Sequence, residues 1–331
     1  MKAKLEIIVT HWKEPWEVCS KFFDMLNVQR GMNAGECRVT LVQDGDEDRL
    51  DTGYLLKKYG FISSVIDIPH SGISAARNAG LDAAQADWVM FCDCDDMLYG
   101  ADSLRAILDS IAAVGNQADL LWGPFYIENR SREGVWSMTP EGWNNIFIHS
   151  KIWRVAWLKE KDIRFDERLD YSEDSLFCAT AALELDPKRI RKINQYIYVW
   201  CLRGGSCTSD KGNEARNREH LARHRVYFPE ICMARGHVTE ARTNALRGIY
   251  DSYYEMTGGT IPVHERWELE KIITRGLLVP WAEECAKIPK EEKTKIMSVS
   301  RESTVRKGMF SEECCTFREW VGKMLEKNRE W

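Results

Sequence analysis

An apolar run that ends in a burst of acids constrains this 331-residue chain more than any other feature. Trp88 to Cys92 reads WVMFC and leads straight into Asp93, Asp95 and Asp96 of the stretch FCDCDDM, Phe91–Met97. A run of this length and composition predicts a strand. Acids at the C-terminal end of such a strand face the crevice where open α/β sheets bind ligands. In an extended backbone, side chains two residues apart point the same way, so Asp93 and Asp95 are expected on one side. Paired carboxylates make a hard oxygen site for Mg²⁺ or Mn²⁺, and such an ion usually shares its coordination with a substrate phosphate. An acidic turn after a strand is the plainer reading. The neighbouring segments decide between the two.

Those segments alternate. LEIIVTHW (Leu5–Trp12) predicts a buried first strand, and Trp16, Cys19, Phe23 and Leu26 follow at helical spacing. Cys37–Asp48 predicts a second strand with an acidic, glycine-containing loop. Leu50–Tyr59 reads as a short helix, Ser64–Ile68 as a third strand, and Ser71–Ala84 as a helix of small residues opened by Ser71-Gly72. After the acidic strand come a helix at Ser103–Val114, a strand at Ala118–Glu128 and a hairpin turn at Ser131–Trp136. A strand, a helix, an acidic loop and another helix follow. A late strand, Gln195–Leu202, ends in a Gly-Gly-Ser loop. This alternation predicts an α/β fold with a mostly parallel sheet. Beyond residue 212 the sequence turns long-helical and charged, with Thr257–Pro262 and Ile288–Pro289 as punctuation. The expected division is 1–212 and 213–331.

Composition supports a soluble globular protein, with 44% hydrophobic and 29% charged residues. The net charge of −5 argues against a nucleic-acid surface. The acids crowd the first part: residues 1–210 carry 24 basic and 32 acidic side chains, against 22 and 19 in residues 211–331. The 11 cysteines lack paired C-x-x-C spacing, and MKAKLEIIVT lacks the apolar run of a secretory leader. The expectation is therefore a cytoplasmic protein with reduced thiols. No run approaches the length of a membrane span, so no integral membrane segment is expected.

Four blocks now stand in order: VTHWKE, LVQDGD, GISAARNAGL and MFCDCDD. Together they resemble the nucleotide-diphospho-sugar-binding half of family-2 inverting glycosyltransferases, bacterial and phage members included, over about residues 5–210. The resemblance implies a GT-A fold, a Rossmann-like, mostly parallel sheet, here with a mainly helical C-terminal extension. It implies that Thr10 and His11 wrap the nucleobase and that Asp44 accepts a hydrogen bond from a uracil ring. Gln43 stands where the family has a first Asp, and Asp46 where it has Ser. Arg77 is implied near the base and diphosphate. Asp93 is the implied ribose-side and metal-side acid, Asp95 the direct metal ligand, and Asp96 a neighbour of the sugar or metal.

YSEDSLF (Tyr171–Phe177) supplies the second half of the chemistry. Inverting transfer needs one general base opposite the departing diphosphate. The resemblance assigns that role to Asp174, with Glu173 as neighbour or backup. Ser172 with the acids behind it is also a plausible helix start, and both readings can hold together. HSKIWR (His149–Arg154) and IRFDERL (Ile163–Leu169) match stretches that lead into the Glu-Asp pair, so His149 and Lys151 stand as donor or acceptor contacts or as buried structural residues. CLRGGSCTS (Cys201–Ser209) resembles a closing loop, with Arg203 on the diphosphate and Gly204-Gly205 giving mobility.

The function expected is metal-dependent, inverting transfer of a sugar from a UDP-sugar to an acceptor hydroxyl, on a cell-surface glycan or, in a phage setting, a modified DNA base. Residues 213–331 would shape acceptor choice or build a homo-oligomer. A nucleotidyltransferase is a rival, but VTHWKEPWE lacks the glycine-rich loop that it needs after strand one. A non-catalytic sugar-nucleotide or glycan-binding protein is the other rival, and the acids at 93, 95 and 174 speak against it.

Overall fold

β1 (Leu5–His11) is buried along its whole length. Even Glu6 is enclosed, because Thr40 Oγ1 donates to one carboxylate oxygen at 2.6 Å and the Gln85 and Ala86 amides donate to the other at 2.7 and 3.1 Å. A strand with no solvated face sits at the centre of a covered sheet. The structure, a computed structural model, describes residues 2–31, 35–130, 135–202, 211–259, 261–307 and 315–329. Two compact units divide the chain, Met1–Ser209 and Asp210–Trp331.

In the first unit, β1 is followed by α1 (Trp16–Asn27), β2 (Cys37–Asp44), α2 (Thr52–Lys58), β3 (Ile62–Ile68), α3 (Ile73–Ala83) and β4 (Trp88–Asp93). Next come the two-residue β5 (Met97–Leu98), α4 (Ser103–Val114), β6 (Leu120–Trp122), β7 (Phe125–Arg130) and β8 (Trp136–Glu141). The unit closes with β9 (Lys151–Arg154), α5 (Val155–Glu160), α6 (Glu173–Glu184), β10 (Ile190–Lys192) and β11 (Tyr198–Cys201). The main sheet runs β10-β6-β9-β4-β1-β2-β3. Its pairs are parallel except those of β9, which lies antiparallel between β4 and β6.

Alternation along β1 divides the core. Leu5, Ile7 and Val9 join α1 and α4 on one face, while Ile8 joins Ala76 and Leu81 of α3 and Phe177 of α6 on the other. By the same period of two, Thr10 falls on the α3 and α6 side.

The sequence reading of Ala118–Glu128 as one strand is not what forms. The chain breaks at Gly123-Pro124: β6 stays in the main sheet and β7 enters a second sheet of order β5-β11-β7-β8. Proline has no N–H for a central ladder, which favours a switch there. At Gly123 a Cβ would meet Ile197 Cδ1 at 3.0 Å, so the bend passes closely under β11. The hairpin turn expected near Ser131 falls largely outside the described residues, but β7 and β8 pair antiparallel as its two arms.

The second unit is helical among its described residues: α7 (Glu214–Ala234), α8 (Val238–Thr257), α9 (Val263–Ile273), α10 (Ala282–Ala286), α11 (Lys290–Arg306) and α12 (Phe317–Lys327). Close approach organises it, since a Cβ on Gly276 would meet Val226 Cγ2 at 2.5 Å. A fork-to-fork pair, Arg225 with Glu255 at 2.7 and 2.5 Å, ties α7 to α8. Thr316 and Glu319 close a capping box on α12.

Candidate active site

The C-terminal ends of β1, β2 and β4 meet the N-termini of α3 and α6, and the segment GISAARNAGL explains how. Gly72 adopts φ 90°, and a Cβ there would meet Asp170 Oδ1 at 2.1 Å. Only glycine satisfies both conditions. Ser74 Oγ donates to the Leu169 carbonyl at 2.6 Å. Asn78 donates to the Phe165 carbonyl at 2.9 Å and accepts from the Phe165 amide at 3.0 Å. Gly80 lets α3 lie on β1, where a Cβ would meet Ile8 Cγ2 at 2.4 Å. Gly72, Ser74 and Asn78 therefore clamp the segment that leads into α6 and so fix where Glu173 and Asp174 stand, while Gly80 seats α3 on the sheet.

Arg77 is the keystone. It is 2% exposed. Its Nη2 donates to Asp93 Oδ1 at 2.9 Å and its Nη1 to Glu173 Oε1 at 2.7 Å, while the guanidinium lies over the Phe165 ring at 5.2 Å. Thr10, the register partner of Asp93 on β1, donates to the same Asp93 oxygen at 3.3 Å. One buried cation thus joins the end of β4 to the start of α6.

The electrostatics follow from burial and this cation. Burial pushes Asp93 upward, but Arg77 outweighs it and holds the carboxyl below its ordinary range. Glu173 is raised to about 7, first by burial and then by the charge of Asp174, against the pull of Arg77. Asp174 is raised by burial, opposed by Arg77 and by the Ser175 amide, which donates to Oδ1 at 2.7 Å. Asp174 lies in the first turn of α6, where the helix dipole favours its anion.

The fit to a divalent ion rests on what the carboxylates have left to give. Among the described residues, no hydrogen bond reaches Oδ2 of Asp93. Asp95 is half-buried in the turn that follows. Among the described residues, no three His, Cys, Asp or Glu side chains gather into a closed metal cage. Asp93 Oδ2 is thus a hard oxygen donor left open, of the kind that suits an ion whose remaining ligands are phosphate and water. The extended geometry expected for Asp93–Asp95 does not form: β4 ends at Asp93, and the Asp96 amide closes a turn onto the Asp93 carbonyl at 3.1 Å. Cys94 is buried in that turn, with Sγ 3.4 Å from Cys19 Sγ of α1 and 3.4 Å from Glu14 Oε2.

Residues 6–169 match the profile described as glycosyl transferase family 2. The N-terminal unit belongs to glycosyl transferase family 2. Among known proteins, the chain is 26% identical over 208 residues to an uncharacterized glycosyltransferase, EpsJ, of Bacillus subtilis, covering 56% of this chain and 58% of that protein. It is 24% identical over 183 residues to the poly(ribitol-phosphate) β-N-acetylglucosaminyltransferase TarP of Staphylococcus aureus, covering 51% and 54%. The chain thus spans about half the length of these curated relatives. A crystal structure of S. aureus TarS 1–349 in complex with UDP-GlcNAc superposes with a TM-score of 0.59 at 19% identity, covering 93% of both chains, and shares the fold.

Within this family-2 domain several residues stand differently from expectation. His11 does not line an open base pocket: it is 2% exposed, with Nε2 3.0 Å from the Glu14 carbonyl. Asp96 is not disposed as an ion ligand. Tyr198 Oη donates to its Oδ2 at 2.5 Å and the Cys201 amide to its Oδ1 at 2.8 Å, anchoring β11 to the acidic turn. Burial and the charges of Asp95 and Asp93 raise its pKa well above the ordinary range. Glu173 is no free backup base, because Arg77 holds it. Of the two readings for Lys151, buried structural use is the one that forms: the residue is 2% exposed, and its Nζ donates to the Asn144 carbonyl at 2.7 Å and also to that of Phe147. Arg203, Gly204 and Gly205 lie outside the described residues.

Asp44 shapes the loop between β3 and α3. Its carboxylate accepts from the Ser71 amide at 2.7 Å and the Gly72 amide at 3.0 Å, and lies 2.9 Å from His70 Nδ1. A carboxylate has about four lone-pair sites, so one acceptor direction remains beyond these three contacts. The His70 ring in turn stacks on Trp12 at 4.8 Å and 5°. Trp12 is 39% exposed and offers an aromatic face beside Asp44. Sequence reading passed over Trp12 and His70. The signal was there in Trp12 directly after Thr10-His11, but the stacking depends on a loop contributed by β3.

Proposed function

We propose that this chain is an inverting glycosyltransferase that moves a sugar from a UDP-sugar to a hydroxyl of a cell-surface glycan, with Mn²⁺ or Mg²⁺ at Asp93 and Asp95. The observation that carries the reading is the Arg77 bridge, which sets the strand-end carboxylate and the start of α6 on either side of one guanidinium. The UDP-GlcNAc complex of a protein that shares the fold and the name of the relative TarP support the donor class.

In this reading the base stacks on Trp12 and donates an N–H to Asp44. Thr10 and Arg77 hold Asp93 in place and ionised. When bound, the divalent ion neutralises charge that builds on the departing diphosphate. Asp174 removes the proton of the incoming acceptor hydroxyl, and its raised pKa brings it closer to the working pH of a general base. Residues 213–331 select the acceptor or support self-association.

A donor screen tests the proposal. Purified protein with Mn²⁺ is offered a panel of nucleotide sugars, and released nucleoside diphosphate is measured with and without glycan acceptors. Release of UDP that rises with acceptor is expected. No diphosphate from any donor, together with no thermal shift by any nucleotide, would overturn the reading.

A further inference from the structure

His149 is the side chain in this domain that packing alone does not explain. It is 6% exposed and boxed by aromatic rings, with centroids 5.4 Å from Phe125, 5.8 Å from Phe147, 5.2 Å from Tyr198 and 5.3 Å from Trp200. Yet among the described residues its Nδ1 is buried without a hydrogen-bond partner. The nearest carboxylate oxygen is Asp96 Oδ2, at 3.9 Å. A buried polar atom left unpaired works against folding, and a phenylalanine would fill the same box without that penalty.

The position is as pointed as the chemistry. Asp96 follows Asp95 directly, on the ion side of the site. On the other side, the backbone of Ile148, the residue before His149, lies close enough to Asp174 to favour its anion. The next residue, Ser150, is fully buried at φ 56°, a conformation that non-glycine residues rarely adopt and that recurs at functional sites. Its carbonyl accepts from the Gly123 amide at 2.9 Å, which fixes the turn that sets the direction of the imidazole. The ring therefore sits between the acids that face the diphosphate and the carboxylate proposed as base, which is where the transferred sugar must lie.

We propose that His149 is a specificity-determining residue that reads a hydroxyl or amide N–H of the transferred sugar, with the ring faces of Trp200 and Phe147 walling the sugar's seat. This rests on the donor reading above. The tautomer follows from the neighbours. Nδ1 lies toward Asp96, so the proton belongs on Nδ1 and the Nε2 lone pair is left to accept from the ligand. The long Nδ1–Asp96 separation tightens when the donor arrives, as site hydrogen bonds commonly do on substrate binding. Burial supports a neutral ring by lowering its pKa to about 3. A neutral imidazole reads a hydroxyl without adding a charge beside the metal-binding acids.

The test compares nucleoside diphosphate with nucleotide sugar. Calorimetry in Mn²⁺ with UDP and with a panel of UDP-hexoses and UDP-N-acetylhexosamines is run on wild type, His149→Phe and His149→Gln. His149→Phe is expected to keep UDP affinity within about twofold while weakening the preferred UDP-sugar about tenfold. His149→Gln, which restores an acceptor near the Nε2 position, is expected to recover part of that loss. Equal weakening of UDP and UDP-sugar would make His149 structural and overturn the inference, as would unchanged UDP-sugar binding in His149→Phe. Wild type that binds UDP but no UDP-sugar any better also overturns it. If wild type binds neither, the donor reading itself has failed.

Discussion

Replacing Arg77 by Met removes the charge while keeping a chain that packs on Phe165. The structure sets the expected magnitude. Two buried charged hydrogen bonds are lost, to Asp93 at 2.9 Å and Glu173 at 2.7 Å, and both carboxylates are left without their cation. Breaking a buried pair on one side costs about 3–5 kcal/mol. With a urea m-value of about 3 kcal/mol/M for a unit of this size, the midpoint should fall by about 1–1.7 M. Tryptophan fluorescence follows the transition. Adding Glu173→Gln to Arg77→Met removes one orphaned charge, so the double variant should be more stable than the two single effects summed. A loss under about 1 kcal/mol, or strict additivity in the cycle, would refute the bridge as the joint between β4 and α6.

Four further outcomes follow from the same geometry. Asp95→Asn should raise the Mn²⁺ concentration needed for donor binding. Asp96→Asn should leave that dependence alone and cost under about 1 kcal/mol of stability, because an amide of the same shape can meet both Tyr198 Oη and the Cys201 amide; matching metal phenotypes would restore Asp96 as a ligand. Gly72→Ala should destabilise the domain by at least about 1 kcal/mol, seen as a fall of about 2–4 °C or more in Tm, since φ 90° and the Asp170 contact both resist a methyl group. Turnover should fall as pH drops, because the base must be ionised and protonation removes it. Burial raises the Asp174 carboxyl, so the acidic limb should lie above the ordinary Asp value of about 3.9. A limb at or below the ordinary value would contradict that burial.

The parts of the domain that were legible in the sequence are those where each residue has a local duty. In GISAARNAGL, Gly72 takes a positive φ, Asn78 clamps the Phe165 backbone and Gly80 admits β1, so the pattern survives as a contiguous string. The run WVMFCD likewise announces a covered strand because both its faces are buried. What stayed hidden depends on distant partners. β5 has two residues, too few for any periodicity, and exists only because β11 pairs with it. The break at Gly123-Pro124 reads as a strand until Ile197 packs over it. Asp96 looks like a third metal acid until Tyr198, 102 positions on, donates to it. Glu173 and Asp174 are adjacent and chemically alike in sequence, and only the reach of Arg77 separates the tethered acid from the proposed base.

The most direct measurement is turnover against donor binding in Asp174→Asn. The substitution preserves shape and removes the proton acceptor. The account predicts a kcat lower by about 10²–10⁴-fold with donor affinity essentially unchanged. Full turnover in the variant, or loss of donor binding in step with activity, would contradict the assignment of Asp174 as the base facing a donor held at Asp93 and Asp95.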